Sequence, residues 1–113
     1  MAIPDDMNYA PGYYDRLGNP ISLMIWGELH KNRNYVVLAQ DPMVVKDVPV
    51  LVSTVWLGLD HAFGDGAPVI FETMVFGPKP REIFGERYHT EEEALEGHGA
   101  ALRKLCALEE WND

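Results

Sequence analysis

Among the four histidines and eighteen acidic residues of this 113-residue sequence, Asp60, His61, Glu72 and His89 are the candidate set for hydrolysis or metal binding. Aspartate, glutamate and histidine supply general bases and ligands for divalent cations. Asp60-His61 follows one β-branched run and Glu72 lies inside the next. An antiparallel meander would bring His61 near the start of the strand carrying Glu72, and His89 near its end. The spacing matches no metal motif, because there is no His-Glu-x-x-His and no cysteine pair. A loop Asp-His more often makes turn hydrogen bonds. A metal-dependent hydrolase or nuclease-like enzyme is therefore the lesser reading, with His61 and Glu72 as its main residues. The sequence assigns no metal, no cofactor and no firm catalytic residue.

Other polar residues have structural explanations. Glu72 lies in register with Ile70, Met74 and Phe76, on an apolar face. A buried carboxylate needs a partner, and Ser53 or an arginine would serve. His98 falls on the apolar face of the last helix and reads as a core histidine, bonded to a backbone carbonyl or to Glu72. Its neighbours Gly97 and Gly99 point to close approach of another backbone, or to a site with little room. Cys106 has no partner cysteine and reads as a partly buried thiol. Trp26, Trp56 and Phe71 read as core. The Gly64-Asp65-Gly66 loop lacks the Lys-Ser/Thr ending of a phosphate cradle.

The elements that position these residues follow from pattern. Residues 1–12 hold Pro4, Asp5, Asp6, Asn8, Pro11 and Gly12 and read as an extended arm. Gly18-Asn19-Pro20 is a turn, and Ser22 caps a short helix over 22–31. Tyr35–Gln40 is a first strand, Asp41-Pro42 opens a loop to about Asp47, and Val48–Leu57 is a second strand with Pro49 near its start. Val69–Phe76 is a third strand, ended by Gly77-Pro78-Lys79-Pro80. Residues 81–89 read as irregular. Thr90-Glu91-Glu92-Glu93 is a capping box opening a helix over 91–109. That helix sets Ala94, Leu95, His98, Ala101, Leu102, Leu105 and Leu108 on one face, and Trp111 is expected to fold back onto the body. The expectation is one α+β domain over residues 1–113: a two-layer, three-stranded antiparallel meander with a short N-terminal and a longer C-terminal helix (α-β-β-β-α).

Both faces of that meander are apolar. Val50, Val52, Thr54 and Trp56 alternate with Leu51, Ser53, Val55 and Leu57, and Phe71, Thr73 and Val75 alternate with Glu72, Met74 and Phe76. Helices on one face leave the other to be covered by the arm and the 77–89 segment, by a second copy, or by a foreign protein. Trp56, Glu72, Met74 and Phe76 are the candidate binding residues.

Composition narrows the function classes. The formal charge of −9 disfavours direct contact with nucleic acid or an anionic membrane surface. Glu91, Glu92 and Glu93 would repel phosphates where a double-stranded RNA-binding domain of similar element order places lysines. A single cysteine fits a reducing compartment. No apolar run reaches membrane-spanning length, and the N-terminus lacks a signal-peptide pattern.

Three stretches carry a resemblance: Ser53–His61, Ile70–Phe76 and Arg87–His98, with the lead-in Tyr14–Ser22. They resemble a group of uncharacterised small proteins of actinobacterial phages and prophage regions, over about residues 13–105. The group usually has an acidic residue after the serine at 22, where this chain has Leu23-Met24-Ile25. The resemblance implies a bacteriophage accessory role: host takeover, counter-defence or regulation. The leading expectation is a small acidic, non-enzymatic protein of the bacterial cytoplasm that binds a host protein or itself, including mimicry of nucleic acid toward a basic groove. A virion or assembly structural protein is a further alternative.

Overall fold

The computed structural model describes residues 12–60, 66–77 and 82–110. Tyr13–Tyr14 (β1) pairs antiparallel with Pro20–Ile21 (β2). Asp15 closes the ribbon, its Oδ1 accepting the N–H groups of Leu17 and Asn19 at 2.9 Å each. Gly18 takes φ +88, a conformation that costs glycine little.

Helix α1 spans Leu23–His30, and Ser22 Oγ accepts the Ile25 N–H at 3.2 Å as its cap. Asn32 then caps a single turn, α2, over Arg33–Val36. This turn takes Tyr35 and Val36 out of the expected first strand. Strand β3 runs instead over Val37–Val45 and includes Asp41-Pro42, which the sequence reading assigned to a loop. Proline is tolerated because β3 is an edge strand, where alternate N–H groups point away from the ladder.

Lys46 and Asp47 both take positive φ, 50° and 66°, which makes a two-residue hairpin into β4, Val48–Trp56. Strand β5 is Phe71–Phe76 and β6 is Glu82–Tyr88. The sheet order is β3-β4-β5-β6, every neighbouring pair antiparallel. The domain is thus α+β, but its meander has four strands rather than three, and its element order is β-β-α-α-β-β-β-β-α. The 82–88 segment, expected to be irregular, is the second edge. Its charged residues and glycine hide it from a pattern search while suiting an exposed edge. As a strand of the sheet it cannot also cover the sheet's face.

Helix α3 spans Glu91–Glu110. Thr90 Oγ1 accepts the Glu93 N–H at 3.1 Å, while the Glu93 carboxylate reaches one residue further back, to the His89 N–H at 3.0 Å. Arg16 grips the start of α3, with Nη2 2.6 Å from Glu91, and this hydrogen bond raises the Arg16 pKa. Ala94, His98, Ala101 and Leu105 pack on the sheet. Leu95 and Leu108, expected on that face, are exposed, as is Cys106. One end of the core joins Val50, Val52, Val75, Ala101 and Leu105. The other joins Trp56, Ile70, Phe71 and Ala94 to residues of the ribbon, α1 and α2. Trp111 lies outside the described residues.

Candidate functional site

A polar belt separates the two apolar clusters. His98 Nε2 is 2.7 Å from Asp41 Oδ2 on β3, and its Nδ1 is 2.7 Å from Thr54 Oγ1 on β4. Thr54 Oγ1 is in turn 2.6 Å from Thr73 Oγ1 on β5. An ionised carboxylate only accepts, so Nε2 carries a proton toward Asp41. With the ring neutral, Nδ1 accepts from Thr54, and Thr54 accepts from Thr73. This carboxylate–imidazole–hydroxyl order matches that of a hydrolytic triad. However, Thr54 and Thr73 are 0% exposed, so no substrate reaches the hydroxyl. The belt instead ties α3 to three neighbouring strands.

Beyond Thr73 lies Tyr88, whose buried phenol oxygen has no hydrogen bond of normal geometry. Burial pushes its pKa above the ordinary phenol value, with the adjacent Thr73 hydroxyl opposing the shift. A Cβ on Gly97 would collide with that oxygen, so the glycine makes room for Tyr88. The bonds of His98 to Thr54 and Asp41 replace the expected carbonyl or Glu72.

The proposed acid–base residues are engaged in other bonds, with Asp60 and His89 meeting the same 67–69 segment and Glu72 paired across the sheet. Asp60 Oδ1 accepts the Val69 N–H at 3.0 Å. His89 Nδ1 lies 3.0 Å from the Ala67 carbonyl oxygen and 3.2 Å from that of Pro68, so it donates to backbone. Glu72 Oε2 accepts from Arg87 Nε at 3.0 Å, across the β5–β6 pair. His61 lies outside the described residues. Among the described residues, no group of three histidine, cysteine or acidic side chains is placed to hold a metal. Asp60, Glu72 and His89 thus each serve a local bond.

Of the candidate binding residues, Trp56 is wholly buried on the helix-covered face, and its Nε1 donates to the Tyr14 carbonyl at 3.0 Å. It is therefore a core residue and presents no binding surface. Around it, His30 packs at tilted ring angles between Trp26 and Trp56, with ring centroids 4.3 and 4.8 Å away. Gly58 at φ +71 leaves space for both indoles. The sequence reading missed His30, although the i, i+4 spacing from Trp26 was a usable signal.

Glu72, Met74 and Phe76 share the opposite face. Register places them with Leu51, Ser53 and Val55 of β4, Gln40, Pro42 and Val44 of β3, and Glu82, Gly85 and Arg87 of β6. Among the described residues, no helix packs on this face, because the helices build the core on the other side. Phe76 is 41% and Val44 59% exposed. Its polar residues are paired: Arg33 donates to Gln40, Gln40 to Ser53, and Arg87 to Glu72. A second apolar patch, Leu17, Leu23, Met24 and Ile25, surrounds the start of α1, a helix with no buried residue. These features define an α+β meander domain with one covered and one open sheet face. No family model, curated protein or solved structure matches the chain. No described helix is long and apolar enough to cross a membrane.

Proposed function

We propose that this protein is a non-enzymatic binding module that engages another protein through the open face of its sheet. The carrying observation is that face: Pro42, Val44, Leu51, Val55, Met74 and Phe76 form one apolar surface, with its few polar groups satisfied internally. A contiguous apolar face of this kind marks an interaction site more often than an inert surface. The resemblance to phage and prophage proteins makes a host protein of the bacterial cytoplasm the partner we favour. The proposal is tested by capture from host lysate with the tagged protein, beside Met74→Glu and, as a surface control, Leu17→Glu. One stoichiometric protein retained by wild type and by Leu17→Glu, but lost with Met74→Glu, is the expected result. Retention should survive high salt, since apolar contact is not screened. Equal capture by wild type and Met74→Glu would refute the role of the face. Loss at high salt alone would favour the acidic-mimic version instead.

A further inference from the structure

We infer that, without its partner, the open face is occupied by a second copy of this chain, so that self-association guards the binding surface. The inference rests on the reading of this face as the binding surface.

Charge is the first argument. Two copies of a chain with net charge −9 repel unless they meet where that charge is absent. On the open face Glu72 and Arg87 are joined at 3.0 Å, Arg33 stands at the rim bonded to Gln40, and Glu82 takes the register position opposite Phe76, so the formal charges of these four cancel. The glutamates 91, 92, 93 and 96 belong to α3, in the layer behind the sheet. Face-to-face stacking sets the two helix layers on the outside. Two sheets then lie between them, a separation well beyond a Debye length of about 8 Å. A basic partner would choose the acidic helix side. The neutral apolar face fits a like surface, and a two-fold axis supplies that match by symmetry.

Area is the second argument. Four strands at about 4.8 Å spacing are about 19 Å wide, and strands of six to nine residues are roughly 20–30 Å long. The flat footprint is therefore roughly 500 Å² per copy, or about 1,000 Å² for the pair. Stable interfaces begin near 1,200 Å², so the dimer belongs among weak, exchanging ones. A weak dimer is what a displaceable guard requires.

Sedimentation equilibrium of the full chain tests this. Wild type should rise from monomer toward dimer mass between about 5 and about 300 µM, and no less steeply at high salt. Met74→Glu and Val44→Glu should each weaken the dimer at least about tenfold, with unchanged far-UV circular dichroism. Leu17→Glu, on the other apolar patch, should dimerise like wild type. Wild type remaining monomeric at the highest concentration overturns the inference and gives the face to a foreign protein or to residues 1–11. So does a dimer that survives both face variants. Lysate capture is scored separately. A monomer whose capture depends on Met74 defeats only self-association, whereas a dimer that captures nothing defeats only the foreign-partner reading.

Discussion

Removing the Thr54 hydroxyl tests whether the buried polar belt holds α3 to the sheet. In Thr54→Val the shape is kept, but two short bonds disappear, 2.7 Å to His98 Nδ1 and 2.6 Å to Thr73. The imidazole nitrogen loses its donor and the Thr73 hydroxyl its acceptor, in a place with no exposure. An unsatisfied buried group costs about 1–3 kcal/mol, and the added methyl returns somewhat under about 1 kcal/mol. Two such groups are stranded, so the net loss is about 1–5 kcal/mol, which lowers a urea midpoint by roughly 1–3 M. Thr73→Val alone strips Thr54 of one donor and should cost about 1 kcal/mol. The double variant leaves no stranded Thr73 hydroxyl, so its loss should fall short of the sum by at least about 1 kcal/mol. Urea unfolding followed by far-UV circular dichroism and tryptophan fluorescence gives all three values. Thr54→Val within about 0.5 kcal/mol of wild type, or strict additivity, would refute the belt as a coupled structural unit.

Glycine substitutions should diverge by site: Gly27→Ala, with nothing within 4 Å of the new Cβ, should stabilise by about 1 kcal/mol. Gly97→Ala, meeting Tyr88 Oη, should instead destabilise by about 1–3 kcal/mol in the same urea assay. Burial raises the folded-state pKa of Tyr88, so its contribution is intact below the unfolded value near 10 and is lost as pH climbs from there through the folded value. Stability of wild type should therefore drop above about pH 10. Tyr88→Phe, which removes a buried unpaired hydroxyl, should be up to about 1 kcal/mol more stable at neutral pH and show a shallower alkaline loss. Replacing Lys46-Asp47 by Asn-Gly suits the two positive φ angles and should raise the melting temperature by the equivalent of about 1 kcal/mol.

Local signals in the sequence served well where the chain's own chemistry decides the structure. Ser22 and Thr90 announced their helices, and β-branched runs announced β4 and β5. Signals failed where a residue's meaning depends on the neighbouring strand. Pro42 reads as a loop until β3 is known to be an edge, and the charged run 82–88 reads as irregular until it is paired with β5. Lys46-Asp47 is not a usual hairpin dipeptide, so the turn that aligns β3 with β4 was hidden.

The candidate site divides in the same way. Period-two alternation placed Glu72, Met74 and Phe76 on one face, and of the two partners expected for Glu72, Ser53 or an arginine, the structure has the arginine, Arg87. Trp56 was grouped with them on chemistry alone, and its alternation with Val55 put it on the other side. The Asp41–His98 contact spans 57 residues, and no local pattern encodes such a pairing.

The central claim is that the open face of the sheet makes the protein's contacts. A photo-crosslinking residue at position 74, compared with one at the exposed Glu92 of α3, tests it most directly in living host cells. The account predicts a discrete adduct from position 74, either a second copy or one host protein, and none from position 92. Adducts from position 92 with none from 74 would contradict it and move the contacts to the acidic helix.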